Sequence, residues 1–190
     1  MTNTHSPGRR AVLIAGAGLA SAALIGVRPA EAASTRAEID RDVQAAITRL
    51  RGMEQAAPLF QQAQAVLVFP RIIAGGFIIG GQFGEGALMR GERISAYYNI
   101  AGASFGFLAG AQASGLAMFF MTEGALTALM NAEGWEVGTG PSVVFLDRGV
   151  QANVTATTLR EAVYAITFDQ QGLMAALALN GTKITRITPA

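Results

Sequence analysis

The chain has 190 residues, a formal charge of +1, no cysteine and a single histidine, His5. That length suits one ordinary domain with a real core. The absence of cysteine excludes disulfide staples and thiolate chemistry, and the near-neutral charge lacks the basic face that broad nucleic-acid binding requires.

Residues 1–32 read as an export signal, to be set aside before any fold reasoning. Arg9-Arg10 precedes the apolar stretch Ala11–Val27, and Ala30-Glu31-Ala32 forms an A-x-A cleavage site followed by Ala33. The arginine pair resembles a twin-arginine signal, which is read by a system that exports folded proteins. The alternative is an uncleaved N-terminal anchor, for which about 17 apolar residues is marginal. Cleavage leaves a single domain, 33–190, with a formal charge of −1 and no histidine. Ser-His-Asp and Cys-His catalysis then have no residues to use, and the usual ligands of zinc, copper, haem and iron–sulfur centres are missing. Paired carboxylates could still work as acid and base, but Asp40 and Asp42 are two apart and diverge on a helix. A carboxylate-only hydrolase is therefore the remote reading. The expectation is no enzymatic activity and no cofactor or metal, in the periplasm or outside the cell.

Thr35 with Glu38 makes a capping-box pattern, and Ile39, Val43, Ala46, Ile47 and Leu50 follow at helical spacing as far as Gly52. Pro58 suits the first turn of a second helix, to about Gln64. The apolar run Ala65–Phe69 reads as a buried strand stopped by Pro70. From Ile72 to Met121 the pattern is β, and Ile94–Thr122 carries no formal charge. Gly102, Gly106 and Gly110 recur every four residues, as on a packed membrane helix. Phe105 and Phe107 nevertheless alternate with small and polar residues, and Asn99, Ser104, Gln112 and Ser114 suit lipid poorly, so a glycine-rich antiparallel strand explains the run better. Thr122 caps a helix over Glu123–Ala132 with Leu126, Leu129 and Met130 as its apolar side. Short strands follow at Trp135–Val137 and Ser142–Leu146, with turns at Gly138–Pro141 and Asp147–Gly149. The C-terminus reads as a meander: Ala162–Phe168, a turn at Asp169–Gly172, Leu173–Leu179, Asn180-Gly181, then Thr182–Ile187. Asn-Gly between apolar strands is a strong hairpin signal. The fold class is α+β, a largely antiparallel glycine-rich sheet or barrel packed by two or three helices.

The glycines do not make a phosphate cradle. Gly81 and Gly86 are five apart, but Ala87-Leu88 stand where a P-loop needs Lys and Ser/Thr, and no G-x-G-x-x-G opens a helix after a strand.

Several ordered motifs resemble the SYLF-domain family: Ala65–Ile72, Gly75–Phe77, Gly80–Gly86, Gly102–Gln112, Met121-Thr122, Trp135–Gly138, and Val163-Tyr164 through Gly172-Leu173 to Gly181. The likeness covers about residues 36–187. It departs at Ile94–Tyr98, where a tryptophan and a proline commonly precede the aromatic pair. The resemblance implies a lipid-binding domain of a family whose bacterial members are often exported. Phosphoinositide specificity and the actin binding of yeast relatives are not expected to transfer to an exported protein. The partner expected is an anionic phospholipid or membrane surface, met by cations beside exposed aromatics: Arg71, Arg90, Arg93, Tyr97, Tyr98, Lys183 and Arg186. The first helix either adds an amphipathic face, with Arg36, Arg41, Arg49 and Arg51 above its apolar stripe, or packs that stripe on the sheet. The alternative function is an envelope scaffold or protein-interaction domain with an envelope protein as partner and no lipid role.

Overall fold

The computed structural model describes residues 33–76, 79–105, 110–137, 141–146, 159–171 and 181–190. The export-signal reading, the strand expected at Leu173–Leu179 and most of the two turns after Val137 lie outside these residues. The compact unit beginning at Ala33 has three helices, α1 (Arg36–Arg51), α2 (Ala57–Gln62) and α3 (Glu123–Asn131). Its eight strands are β1 (Ala65–Gly76), β2 (Ile79–Arg90), β3 (Arg93–Phe105), β4 (Gly110–Phe120), β5 (Trp135–Glu136), β6 (Val143–Phe145), β7 (Val163–Gln171) and β8 (Lys183–Ile187). They form one curled sheet in the order β5-β8-β3-β2-β1-β4-β7-β6, antiparallel except for the β6–β7 pair. The α+β expectation holds.

Each face of the sheet carries its own core. On one face α3 packs Ala125, Leu126 and Leu129 against Leu67, Phe69, Ile72, Leu88, Tyr98 and Leu116. On the other, α1 buries Ile39, Val43, Ala46, Ile47 and Leu50 against Val66, Val68, Ala87, Met89 and Phe119. The α1 stripe thus packs on the sheet and leaves its arginines in solvent. The capping box forms as read: Glu38 N–H donates to Thr35 Oγ1 at 3.3 Å, and Thr35 N–H donates to Glu38 Oε2 at 2.8 Å. The Thr35 N–H and then the Thr35 hydroxyl, both donating to the Glu38 carboxylate, hold its pKa below the usual range, with Arg41 nearby adding to the effect.

Three expectations are corrected. Pro70 does not end its strand: β1 continues to Gly76 through a register shift that falls between Val68 and Arg71 on the β2 ladder and between Phe69 and Ile72 on the β4 ladder. Proline lacks the N–H that a ladder needs, and a bulge is where a central strand tolerates that loss. Met130 does not join the apolar side of α3 but is 37% exposed, its place in the core taken by Ala125. The turn expected from Asp169 does not begin there, and the strand Leu173–Leu179 on which the meander rests lies outside the described residues. β7 extends β4 on one side while β8 crosses to pair with β3 and β5 on the other. β7 runs on to Gln171 past Asp169, whose φ of 50° marks an irregularity rather than a turn, and Gly181 has a turn conformation at φ 78°.

Candidate functional site

Register divides the seven candidate residues between the two faces. Arg71, Tyr97 and Lys183 share the α1 face, whereas Arg90, Arg93, Tyr98 and Arg186 lie on the α3 face. No single patch gathers them. Arg90 and Arg93 oppose each other across the β2–β3 turn, and Arg90 is paired with Glu123 at the start of α3 (2.9 and 3.1 Å). Arg186 lies opposite Tyr98. Tyr97 is half-buried beneath α1, where its hydroxyl donates to Asp40 at 2.8 Å and Arg36 stands 5.4 Å over its ring. Burial first, and then that bond to Asp40, raise the Tyr97 pKa. Tyr97 is thus part of the α1 interface and not of an open patch.

Tyr98 is only 1% exposed and cannot reach a surface. Its hydroxyl and the Trp135 indole N–H are buried with no hydrogen-bond partner among the described residues. Burial raises the Tyr98 pKa, opposed by Arg186. The phenolate is disfavoured in the folded state, so Tyr98's contribution is complete below about pH 10 and is lost as pH climbs toward the raised value. Tyr98→Phe should therefore leave the domain as stable or about 1 kcal/mol more stable, because an unpaired buried hydroxyl is removed. It should also soften the loss of stability above pH 10. Urea denaturation at pH 7 and pH 10.5 checks both outcomes.

The surface that the sequence reading missed is a cross-strand row on the α1 face, beyond the helix. Lys183 pairs with Ala101, Ala101 with Phe83, Phe83 with Ile73, and Ile73 with Ala113. Neighbouring strands are about 4.8 Å apart and paired residues point to the same side, so these side chains stand shoulder to shoulder. Phe83 is 50% and Ile73 37% exposed. Gly81 and Ala103, paired in the next row, are exposed and add little relief, so the two large side chains stand out from a shallow floor. Arg71 borders this row opposite Glu85, and Lys183 ends it opposite Glu136. Alternation from the buried Ala87 places Phe83 on the α1 face; what the sequence could not show is that α1 stops short of it.

A concavity of about 160 Å³ lies between the end of α1, α2 and the β2–β3 turn, with Phe60 and Met89 in its wall and Arg51 5.8 Å from the Phe60 ring. It falls below the roughly 300 Å³ at which small-molecule sites begin. Among the described residues, no three His, Cys, Asp or Glu side chains gather as metal ligands, and no helix is long and apolar enough to cross a membrane.

Residues 101–189 match the family model Ysc84, described as Las17-binding protein actin regulator. The match takes in just under half of the chain, from the middle of β3 onward, and so includes the Gly102–Gln112 and Trp135–Gly138 motifs but not Ala65–Gly86. No curated protein matches the chain.

Proposed function

We propose that this chain, a SYLF-domain family member by its match over residues 101–189, is a non-enzymatic module that docks on an anionic lipid surface. The observation that carries the reading is the Ile73–Phe83 pair: two large apolar side chains, adjacent and exposed, in a row bordered by Arg71 and ended by Lys183. Phe83 and Ile73 would enter the interfacial layer, while Arg71 and Lys183 would stay at headgroup level with their stems over apolar surface. Each cation near an anionic membrane is worth about 1 kcal/mol. The family model's description concerns Las17 and actin; the twin-arginine-like leader would put this chain outside the compartment where actin works, so the lipid role is the one carried over. The proposed location is periplasmic or extracellular, peripheral on a membrane.

The test is co-sedimentation with vesicles of phosphatidylcholine alone and of phosphatidylcholine with 30% phosphatidylglycerol (a chosen composition, on the order used to expose charge dependence). Retention on the anionic vesicles that falls as salt rises supports the reading. No retention on either overturns it in favour of the envelope scaffold.

A further inference from the structure

The described chain enters the sheet at a point that gives the predicted cleavage a structural consequence. Ser34 N–H donates to Glu85 Oε2 at 2.9 Å, in a half-buried contact between residues 51 positions apart. The compact unit begins at Ala33, the residue that follows Ala30-Glu31-Ala32. Two independent features therefore meet at the Ala32–Ala33 bond: a small-residue cleavage motif and the boundary of the folded unit.

We infer that cleavage between Ala32 and Ala33 creates an α-ammonium group that Glu85 holds. Hydrolysis of that amide by a signal peptidase, with water as co-reactant, frees the carboxylate of Ala32 and the amine of Ala33, which takes up a proton. Consecutive backbone nitrogens lie within about 4 Å of each other, so the new ammonium forms one residue from the N–H that Glu85 already binds. The other charged groups on the surrounding elements are Arg71 on β1, opposite Glu85, Arg36 and Glu38 in the first turn of α1, and the α-carboxylate of Ala190, which accepts from the Arg36 N–H at 3.1 Å; the β3 neighbour of Glu85 is the neutral Asn99. The Glu38 carboxylate is engaged with the Thr35 N–H and hydroxyl and that of Ala190 with the Arg36 N–H, whereas Glu85 already accepts from Ser34, the residue next to the new ammonium.

The charge at the exposed row changes with it. Before cleavage Arg71 stands opposite Glu85 and Lys183 opposite Glu136, two cations balanced by two carboxylates. Cleavage adds one positive charge at the border of that row. This consequence for docking rests on the lipid reading above; the ammonium site does not.

The chain's single lysine makes the test clean. Full-length protein is expressed in an exporting host and the exported product purified, its start located by N-terminal sequencing. Its amines are then dimethylated reductively with ¹³C-formaldehyde, a reaction that retains their charge. Two methyl signals are expected, from the α-amine of Ala33 and from Lys183. The α-amine of the folded protein should titrate about one pH unit above the same group in urea-unfolded protein. In Glu85→Gln, which keeps an oxygen to accept the Ser34 N–H, that difference should shrink. A mature start elsewhere than Ala33, or an α-amine pKa indifferent to folding or to Glu85→Gln, overturns the inference. Neither readout involves lipid, so a failure on vesicles and a failure here are told apart.

Discussion

Gly86→Ala is expected to destabilise the domain by about 3 kcal/mol, the upper end of what overpacking costs. A Cβ at this position would run into the Val68 carbonyl oxygen and come within 2.8 Å of both the Val68 carbonyl carbon and Phe69 Cδ1. Gly84 has the same problem, at 2.7 Å from the Arg71 carbonyl oxygen. Both carbonyls belong to residues that bound the β1 irregularity around Pro70. The account is therefore a chain of causes. Proline removes a ladder donor, the strand bulges, and the carbonyls on either side of the bulge crowd β2 so closely that only glycine fits opposite them. Backbone atoms of a central strand cannot move aside as a flexible side chain would. Gly124→Ala is the matched control: it lies in α3 with nothing within 4 Å, and should leave stability unchanged or raise it by about 0.5 kcal/mol. Urea midpoints for both variants check this. A Gly86→Ala protein within about 0.5 kcal/mol of the parent, the usual range for an inconsequential surface change, would mean that the crowding is relieved cheaply and the account is wrong.

The second large effect concerns docking. Half-exposed Phe83 presents on the order of 100 Å² of apolar surface, worth about 2.5 kcal/mol at roughly 25 cal/mol per Å² if membrane contact covers it. Phe83→Ser should weaken retention on anionic vesicles by about tenfold to fiftyfold; Ile73→Ser, at a less exposed position, should cost somewhat less. Neither should move the urea midpoint by more than about 0.5 kcal/mol, since the substituted surface already faces solvent. Arg71→Ala and Lys183→Ala should each weaken retention by about fivefold. The two classes separate by salt: removing a cation flattens the salt dependence, whereas removing Phe83 lowers retention at every salt concentration alike. Unaltered retention in Phe83→Ser would move the lipid contact off this row.

Much of the fold was legible because its signals are local. Thr35 and Glu38 mark a helix start through bonds within four residues, and the helix formed with the stripe from Ile39 to Leu50 turned inward. The alternation of Phe105 with small residues identified a strand where glycine spacing alone suggested a membrane helix. The errors are of a different kind. The Pro70 stop failed because a bulge, set by neighbours on both sides, absorbed the missing donor. The pairing of β8 with β3, over eighty residues earlier, was not foreseen, because no short-range pattern encodes it.

The candidate site was legible in residue type but not in arrangement. Cations, aromatics and the absence of cysteine and of any histidine beyond His5 are properties of composition, so the expectation that most nucleophilic and metal chemistry is excluded rests on the amino-acid sequence alone. The glycine positions, the helix caps and the Ala30-Glu31-Ala32 pattern before Ala33 are legible there too. Which side chains share a surface depends on register, because a shift of one residue moves a strand's side chains to the opposite face. It also depends on how far α1 extends over that face. Only the tertiary structure could bury Tyr98, tie Arg90 to Glu123, bring Ser34 to Glu85, and leave Phe83 and Ile73 uncovered between Arg71 and Lys183. Those relations join residues distant in the chain, and the antiparallel ladders that join them are set by the packing of the whole sheet.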